Sequence, residues 1–250
     1  MFQISGNSPL FYRTEGKGPL VIMLHGLLMN GQCWVDNGFL SAFSPFFKVA
    51  CPDLIGHGAS DKPDIQEIYT RENQELAIVK LMDELGYEKA HVIGYSAGAW
   101  LAMGLLKAYP ERLTSVVLGG WDCLQGLPEA PAGKLTFDMF MSYAREIAPE
   151  LTASLSSADE KSTECFFNEL SKQFQDDGNL LTHSTPKLFW AGSSDPYYTS
   201  MTELAELHAI PLISGTGDHL GEINNPDKVT IDEILKFSKG QYVFSTNDPT

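Results

Sequence analysis

The stretch Gly94-Tyr95-Ser96-Ala97-Gly98 limits this chain more than any other part of it. Before it, His91-Val92-Ile93 reads as the end of a buried strand. After it, Ala99-Trp100-Leu101-Ala102-Met103-Gly104-Leu105-Leu106 is apolar and tolerant of helix. Strand, sharp turn and helix therefore meet at Ser96. A side chain at the crest of such a turn needs a strained backbone, and glycines on either side let strand and helix pass in contact. The turn lifts the Ser96 hydroxyl clear of the main chain, at the positive end of the following helix. This is the local context that the G-x-S-x-G nucleophile turn requires.

The surrounding chain alternates strand and helix. Short strands are expected at Phe2–Ile4 and Leu10–Arg13, joined through the turn signal Gly6-Asn7-Ser8-Pro9. Leu20-Val21-Ile22-Met23-Leu24 is a continuous apolar run suited to a strand covered on both faces. A helix follows near Gln32 and carries Trp34; Phe46 to Cys51 is the next strand. Leu76, Val79, Leu81, Met82 and Leu85 recur at helical spacing, with Gly86 as the stop. After Ser115-Val116-Val117-Leu118, strand signals vanish from Cys123 to His183. There, Leu135 to Ile147 and Asp159 to Phe174 are amphipathic, with Phe137, Phe140, Met141, Phe166, Phe167 and Phe174 forming an oily face. Alternation resumes with Lys187–Ala191 as a strand, a helix opened by the capping box Ser200-Met201-Thr202-Glu203, and a last strand at Ile210–Ile213. A final helix, capped by Asn225-Pro226, runs to about Phe237. The pattern is a doubly wound α/β fold. Residues 1–122 and 184–240 form its core, 123–183 a helical cap insertion, and 241–250 a loose polar tail.

Composition narrows the function. The chain of 250 residues has 17 Lys and Arg against 32 Asp and Glu, a net charge of −15, and no basic patch. Nucleic acid is not an expected partner. Cys33, Cys51, Cys123 and Cys165 are scattered without a C-x-x-C pair, so neither a disulfide framework nor a metal site is expected. Cys33 and Cys51 read as small apolar fillers. The N-terminus lacks a basic segment followed by an apolar one, and no apolar run is long enough to span a bilayer. The expectation is a cytoplasmic protein with no membrane span. Nothing in the sequence fixes an oligomeric state.

A serine hydroxyl is a weak nucleophile at neutral pH and needs a base, and a histidine base needs a carboxylate to hold its tautomer. In open parallel sheets such groups gather beyond the carboxyl ends of strands. Ser96, Asp195 and His219 each follow a strand, in the order Ser, Asp, His. Asp122 is a rival acid, and Asp195 could instead cap the turn before Pro196. Of the other histidines, His91 lies at the opposite end of its strand, and His183 and His208 lie off the strand tips. His25 and His57 sit in glycine-flanked turns that they can hold by hydrogen bonds. An oxyanion needs two backbone donors: Ala97 directly after the serine, and Leu27 from the His25-Gly26-Leu27 loop, with Leu28 the alternative. Tyr95 and Trp121 are candidate substrate contacts; Trp34, Trp100 and Trp190 read as core.

His25-Gly26, Asp53-Leu54-Ile55-Gly56-His57-Gly58-Ala59-Ser60, Gly94-Tyr95-Ser96-Ala97-Gly98, Gly192-Ser193-Ser194-Asp195 and Gly217-Asp218-His219 occur in this order, and together they resemble the α/β-hydrolase family from about Leu10 to Phe237. The resemblance implies a mostly parallel eight-stranded sheet with helices on both faces and a cap after the sixth strand. It implies a cofactor-independent serine hydrolase acting on a small-molecule carboxylic ester through Ser96, His219 and Asp195. Lactonase, thioesterase and carbon–carbon bond hydrolase are variants of the same chemistry; a non-catalytic small-molecule receptor is an alternative of another class. Serine at 96 speaks against haloalkane dehalogenases and epoxide hydrolases, whose nucleophile is aspartate here. Tyr95 departs from the Asn that carbon–carbon hydrolases often carry. Asp218 stands where the family often has Gly, either to raise the imidazole's pKa or simply to face solvent.

Overall fold

The computed structural model describes residues 2–3, 10–129, 133–172 and 177–241. Among them, eight strands form one sheet: β1 (Phe2–Gln3), β2 (Tyr12–Glu15), β3 (Leu20–Leu24), β4 (Lys48–Pro52), β5 (Ala90–Tyr95), β6 (Leu113–Gly119), β7 (Lys187–Gly192) and β8 (Leu212–Gly215). Their spatial order is β1-β2-β4-β3-β5-β6-β7-β8. β1 and β2 pair antiparallel at one edge, and every pairing from β4 to β8 is parallel. The strand carrying Tyr95 is therefore internal, flanked by β3 and β6.

Side chains alternate across a strand, so an unbroken apolar run feeds two cores at once. In β3, Leu20, Ile22 and Leu24 face one cluster with Val92, Val116 and Leu118, while Val21 and Met23 face the other with Ile93 and Val117. The first cluster is covered by α3 (Arg71–Leu85), α4 (Ala97–Ala108) and α8 (Tyr198–His208); the second by α1 (Cys33–Asp36), α2 (Phe39–Phe43) and α10 (Lys228–Ser238). Thr70 caps α3 by accepting from the Asn73 N–H, and Gly86 ends it at φ 79°, as the sequence indicates. Cys51 is buried in the second cluster and Cys33 packs against it; both are free thiols.

Between β6 and β7 the described elements are helical: α5 (Phe137–Ile147), α6 (Pro149–Thr152), α7 (Ser157–Leu170) and a 3₁₀ turn at Asp177–Thr182. Phe137 and Phe140 pack on Phe167 at 5.7 and 5.4 Å between ring centroids. Phe166 is fully buried against His57 and Trp100. These aromatics bind helix to helix and helix to core.

Several boundaries differ from the sequence reading. β2 begins at Tyr12 and β4 at Lys48, not at Leu10 and Phe46. No capping box forms at Ser200: α8 has already begun, because the Asp195 carboxylate accepts the Tyr197 N–H at 2.9 Å, and Ser200 Oγ donates back to the Tyr197 carbonyl. The Asn225-Pro226 cap is displaced too. Asp227 precedes α10, and an extra short helix, α9 (His219–Asn224), fills the preceding segment. Ile4, the Gly6–Pro9 turn, Ala130-Pro131, Phe174 and 242–250 of the expected tail lie outside the described residues. No helix among the described residues is long and apolar enough to cross a membrane.

The return from the inserted helices is pinned by charge. Arg71 on α3 is 2% exposed and holds Asp177 through two nitrogens at 2.6 and 2.9 Å, with Glu75 3.5 Å from its Nε. Burial pushes the Glu75 carboxyl up to about 7, against the pull of Arg71. Removing one partner of a buried pair strands the other charge, at a cost of about 3–5 kcal/mol. Asp177→Asn should lower stability by about 3 kcal/mol in urea unfolding, near the lower bound because Glu75 remains. Arg145→Ala, which breaks an exposed pair with Glu160, should change it by less than about 1 kcal/mol.

Candidate active site

Ser96 sits at φ 54° and ψ −117°, a conformation that L side chains rarely adopt. Three contacts hold it there. Its N–H donates to the Gly119 carbonyl at 2.7 Å, and its own carbonyl accepts from Ala99 and Trp100 in the first turn of α4. A Cβ on Gly98 would lie 2.1 Å from the Leu24 carbonyl oxygen, and one on Gly94 would lie 2.2 Å from that of Gly98. Only glycine permits strand and helix to pass so close. The Ser96 side chain does not cap its own helix, which leaves the hydroxyl for another partner.

That partner is His219. Its Nε2 is 3.1 Å from Ser96 Oγ, and its Nδ1 is 2.8 Å from Asp195 Oδ2. The three residues come from the carboxyl ends of β5, β7 and β8, so the sheet brings together groups 123 and 24 positions apart in sequence. The Asp195 side chain is fully buried, while the His219 side chain is 29% exposed. Asp195 Oδ1 accepts the Tyr197 N–H, which fixes the other end of the carboxylate.

Asp122, the rival acid, is also buried, but its Oδ1 accepts from the Leu124 and Gln125 N–H groups, so it ties down the loop after β6. Asp218 accepts the Gly221 N–H at 2.7 Å and is the N-cap of α9. Capping requires a short acceptor at this position, which accounts for a carboxylate beside the histidine.

The turn after β3 lies against the serine. A Cβ on Gly26 would be 3.4 Å from Ser96 Cβ. The turn closes through Met29 N–H to the Gly26 carbonyl at 3.2 Å, with Leu27 second and Leu28 third at φ 65°. Ala97 opens α4, where helical geometry provides no intrahelical acceptor for its N–H. Asp53 fixes this turn to the next one: Oδ1 accepts from Gly31 N–H and Arg13 Nη1, and Oδ2 from Ala59 N–H.

His25 behaves as a turn residue, whereas His57 reaches only the Ile55 carbonyl, at 3.4 Å, and its buried Nε2 has no partner among the described residues. His25 Nε2 accepts the Leu54 N–H at 3.0 Å, so Nδ1 carries the proton and donates to the Gly26 carbonyl. Both nitrogens are satisfied only by the neutral ring. His91 pairs with Ser115 at the far end of the sheet.

The two expected substrate contacts fare differently from the relay. Tyr95 is fully buried and points beneath His219, so it is not a pocket wall: the residue after Gly94 ends β5, and its side chain is committed to the second core. Trp121 is 4% exposed, with its ring against Tyr197. The cavity of about 440 Å³ between the Leu28–Cys33 turn, the Gly56–Gly58 turn and α6–α7 lies beside the relay and is lined by neither of them, nor by Ser96, Ala97 or His219. Its walls include Asn30, Gln32, His57, Ser154 and Thr163, which is more polar than the oily face suggested. Among the described residues no group of three His, Cys, Asp or Glu side chains could hold a metal ion.

Burial lowers His25 to about 4 and His57 to about 3. Unfolded, both protonate near pH 6.5, so the unfolded chain binds more protons below that value and stability falls from pH 6.5 towards 4. Urea unfolding should show a loss of about 2 kcal/mol per histidine between pH 6.5 and 5. His57→Leu should narrow the difference.

The comparisons agree with this architecture. Residues 19–214 match the family model described as alpha/beta hydrolase fold. A 2-hydroxy-6-oxo-6-phenylhexa-2,4-dienoate hydrolase of Comamonas testosteroni is 34% identical over 115 residues, 44% of this chain and 39% of that one. The alignments cover between 28% and 40% of the length of the curated relatives matched. In fold, a thermophilic esterase from Thermogutta terrifontis superposes with a TM-score of 0.72 at 20% identity, covering 94% of each chain. An N-acyl homoserine lactonase superposes with a TM-score of 0.73 at 19% identity, covering 96% of this chain and 98% of that one. At such identities the likeness is one of fold. The strand order, the serine turn and a family match spanning residues 19–214 establish that this chain belongs to the alpha/beta hydrolase fold family.

Proposed function

We propose that this chain is a serine hydrolase that cleaves a small carboxylic ester through an acyl-enzyme. The observation that carries the reading is the continuous hydrogen-bond relay from Asp195 Oδ2 through His219 to Ser96 Oγ, at 2.8 and 3.1 Å. With Asp195 on the Nδ1 proton, His219 Nε2 is free to accept the serine proton. Ser96 Oγ then attacks the acyl carbon. The Leu27 and Ala97 N–H groups take the oxyanion, one from the turn beside the serine and one from the helix that follows it. His219 gives its proton to the leaving alcohol. Water, deprotonated by the same imidazole, attacks the acyl carbon and frees Ser96 and the carboxylic acid. No metal or cofactor enters this scheme.

The inserted helices act in this reading as a cap over the rim that carries the relay. Lactone opening requires the same steps with the leaving alcohol kept on the acyl group. A second reading, hydrolysis of a carbon–carbon bond beside a ketone, is favoured by the Comamonas relative.

Ser96→Ala should abolish turnover of short p-nitrophenyl esters, by a factor of about 10⁴ or more, with the fold retained by circular dichroism. A fluorophosphonate should label the native protein at Ser96. A folded, unlabelled native protein would sink the proposal in favour of a binding role. Parallel assays on esters, lactones and a ring-opened dienoate should show the ester or lactone turned over fastest; a dienoate preference would select the second reading.

A further inference from the structure

Tyr95 takes no part in these steps, yet its side chain is spent inside the site. The ring lies between Trp190 at 4.9 Å and His219 at 5.3 Å, centroid to centroid. The hydroxyl is 2.8 Å from the His219 main-chain carbonyl and 3.3 Å from Asp195 Oδ2, the oxygen that also holds His219 Nδ1. Room for this arrangement is made by two glycines at the tip of β6. A Cβ on Gly119 would meet the Tyr95 ring at 2.6 Å, and one on Gly120 would meet it at 2.8 Å and His219 Cε1 at 3.0 Å.

Both neighbours of the hydroxyl are acceptors, so it serves them only as a donor. Burial first, then Asp195 and Glu222, hold the phenol well above its ordinary pKa, and the proton stays on. His219 opens α9, and its ring must be fixed at two points to keep Nε2 on Ser96. Asp195 fixes the ring end. The main-chain end is held by Tyr95.

We propose that Tyr95 is a positioning residue of the relay, whose single hydroxyl proton anchors the His219 main chain and supports the charge on Asp195 Oδ2. The role rests on the hydrolase reading above. It implies a pH effect of definite sign. Without the hydroxyl, the donors left to Asp195 among the described residues are the Tyr197 N–H and the His219 Nδ1–H. Its charge is then less shared, it favours the imidazolium more, and the acid limb of the rate profile moves to higher pH. The other charged groups around His219 are already engaged. Asp218 accepts from Gly221, Glu222 from Trp190 Nε1 and Gly217, and Asp122 from its own loop; the Tyr197 hydroxyl donates to the Gly126 carbonyl.

Tyr95→Phe keeps the ring and removes only the hydroxyl. The rate of fluorophosphonate labelling at Ser96, counted per folded molecule, should fall about tenfold, the effect of one hydrogen bond to a charged network. With a p-nitrophenyl ester, kcat should fall by a similar factor with KM within about twofold, since nothing that holds the ester is altered. The acid limb of the labelling profile should shift upward. Labelling at the native rate with an unmoved pH profile would overturn the role while leaving the hydrolase reading intact. Failure of the native protein to label at all would defeat that reading and this role with it.

Discussion

A serine with φ 54° persists in a folded chain only where its surroundings leave it no alternative. Such a backbone costs on the order of 1–3 kcal/mol, so the turn must be held from outside. The hold comes from the centre of the sheet. β5 has a parallel neighbour on each side, Gly98 runs against the end of β3, and Gly119 of β6 accepts the Ser96 N–H. Moving any of these three strands would release the turn. The doubly wound core is in this sense a clamp on one residue, and its burial energy is what makes the strained conformation affordable.

The same arrangement decides where the other groups arrive. Parallel strands send all their outgoing turns to one rim, and the relay is assembled there from β5, β7 and β8 with the Gly26–Met29 turn facing it from β3. Rigidity at the rim comes from polar residues that never touch the relay. Asp53 and the neutral His25 lace the turns after β3 and β4 to each other, and Asp122 and Asp218 close their own loops. Each of these groups accepts at least one backbone N–H, the one resource a turn offers in abundance.

Much of this was legible in the sequence, because it is written in local chemistry. Continuous apolar runs specified the inner strands, and glycines marked the close passages. The order of Ser96, Asp195 and His219 after strand tips led to the residues that the fold brings into contact. What was missed depends on three-dimensional neighbours. α9 is six residues long and its signal was hidden inside a presumed turn. The box at Ser200 looked sound locally but lost to Asp195, whose carboxylate had already started the helix. Tyr95 read as a pocket residue since its ring neighbours, Trp190 and His219, lie 95 and 124 positions away. The polar character of the cavity was equally invisible, as the oily positions of α5 and α7 are consumed in packing on each other and on Trp100.

The paired glycines at the tip of β6 carry an evolutionary corollary. An aromatic ring at 95 and bare backbone at 119 and 120 occupy a single volume, with His219 on its far wall. A lineage that shrinks residue 95 opens a void beside the imidazole, yet a methyl group at 119 would still meet Trp190 at 2.8 Å, and one at 120 would still meet His219 Cε1 at 3.0 Å from a backbone at φ 54°. The two glycines are therefore held by three rings at once, and descendants of this chain that lose the one at 95 remain bound to bare backbone at 119 and 120 by the other two.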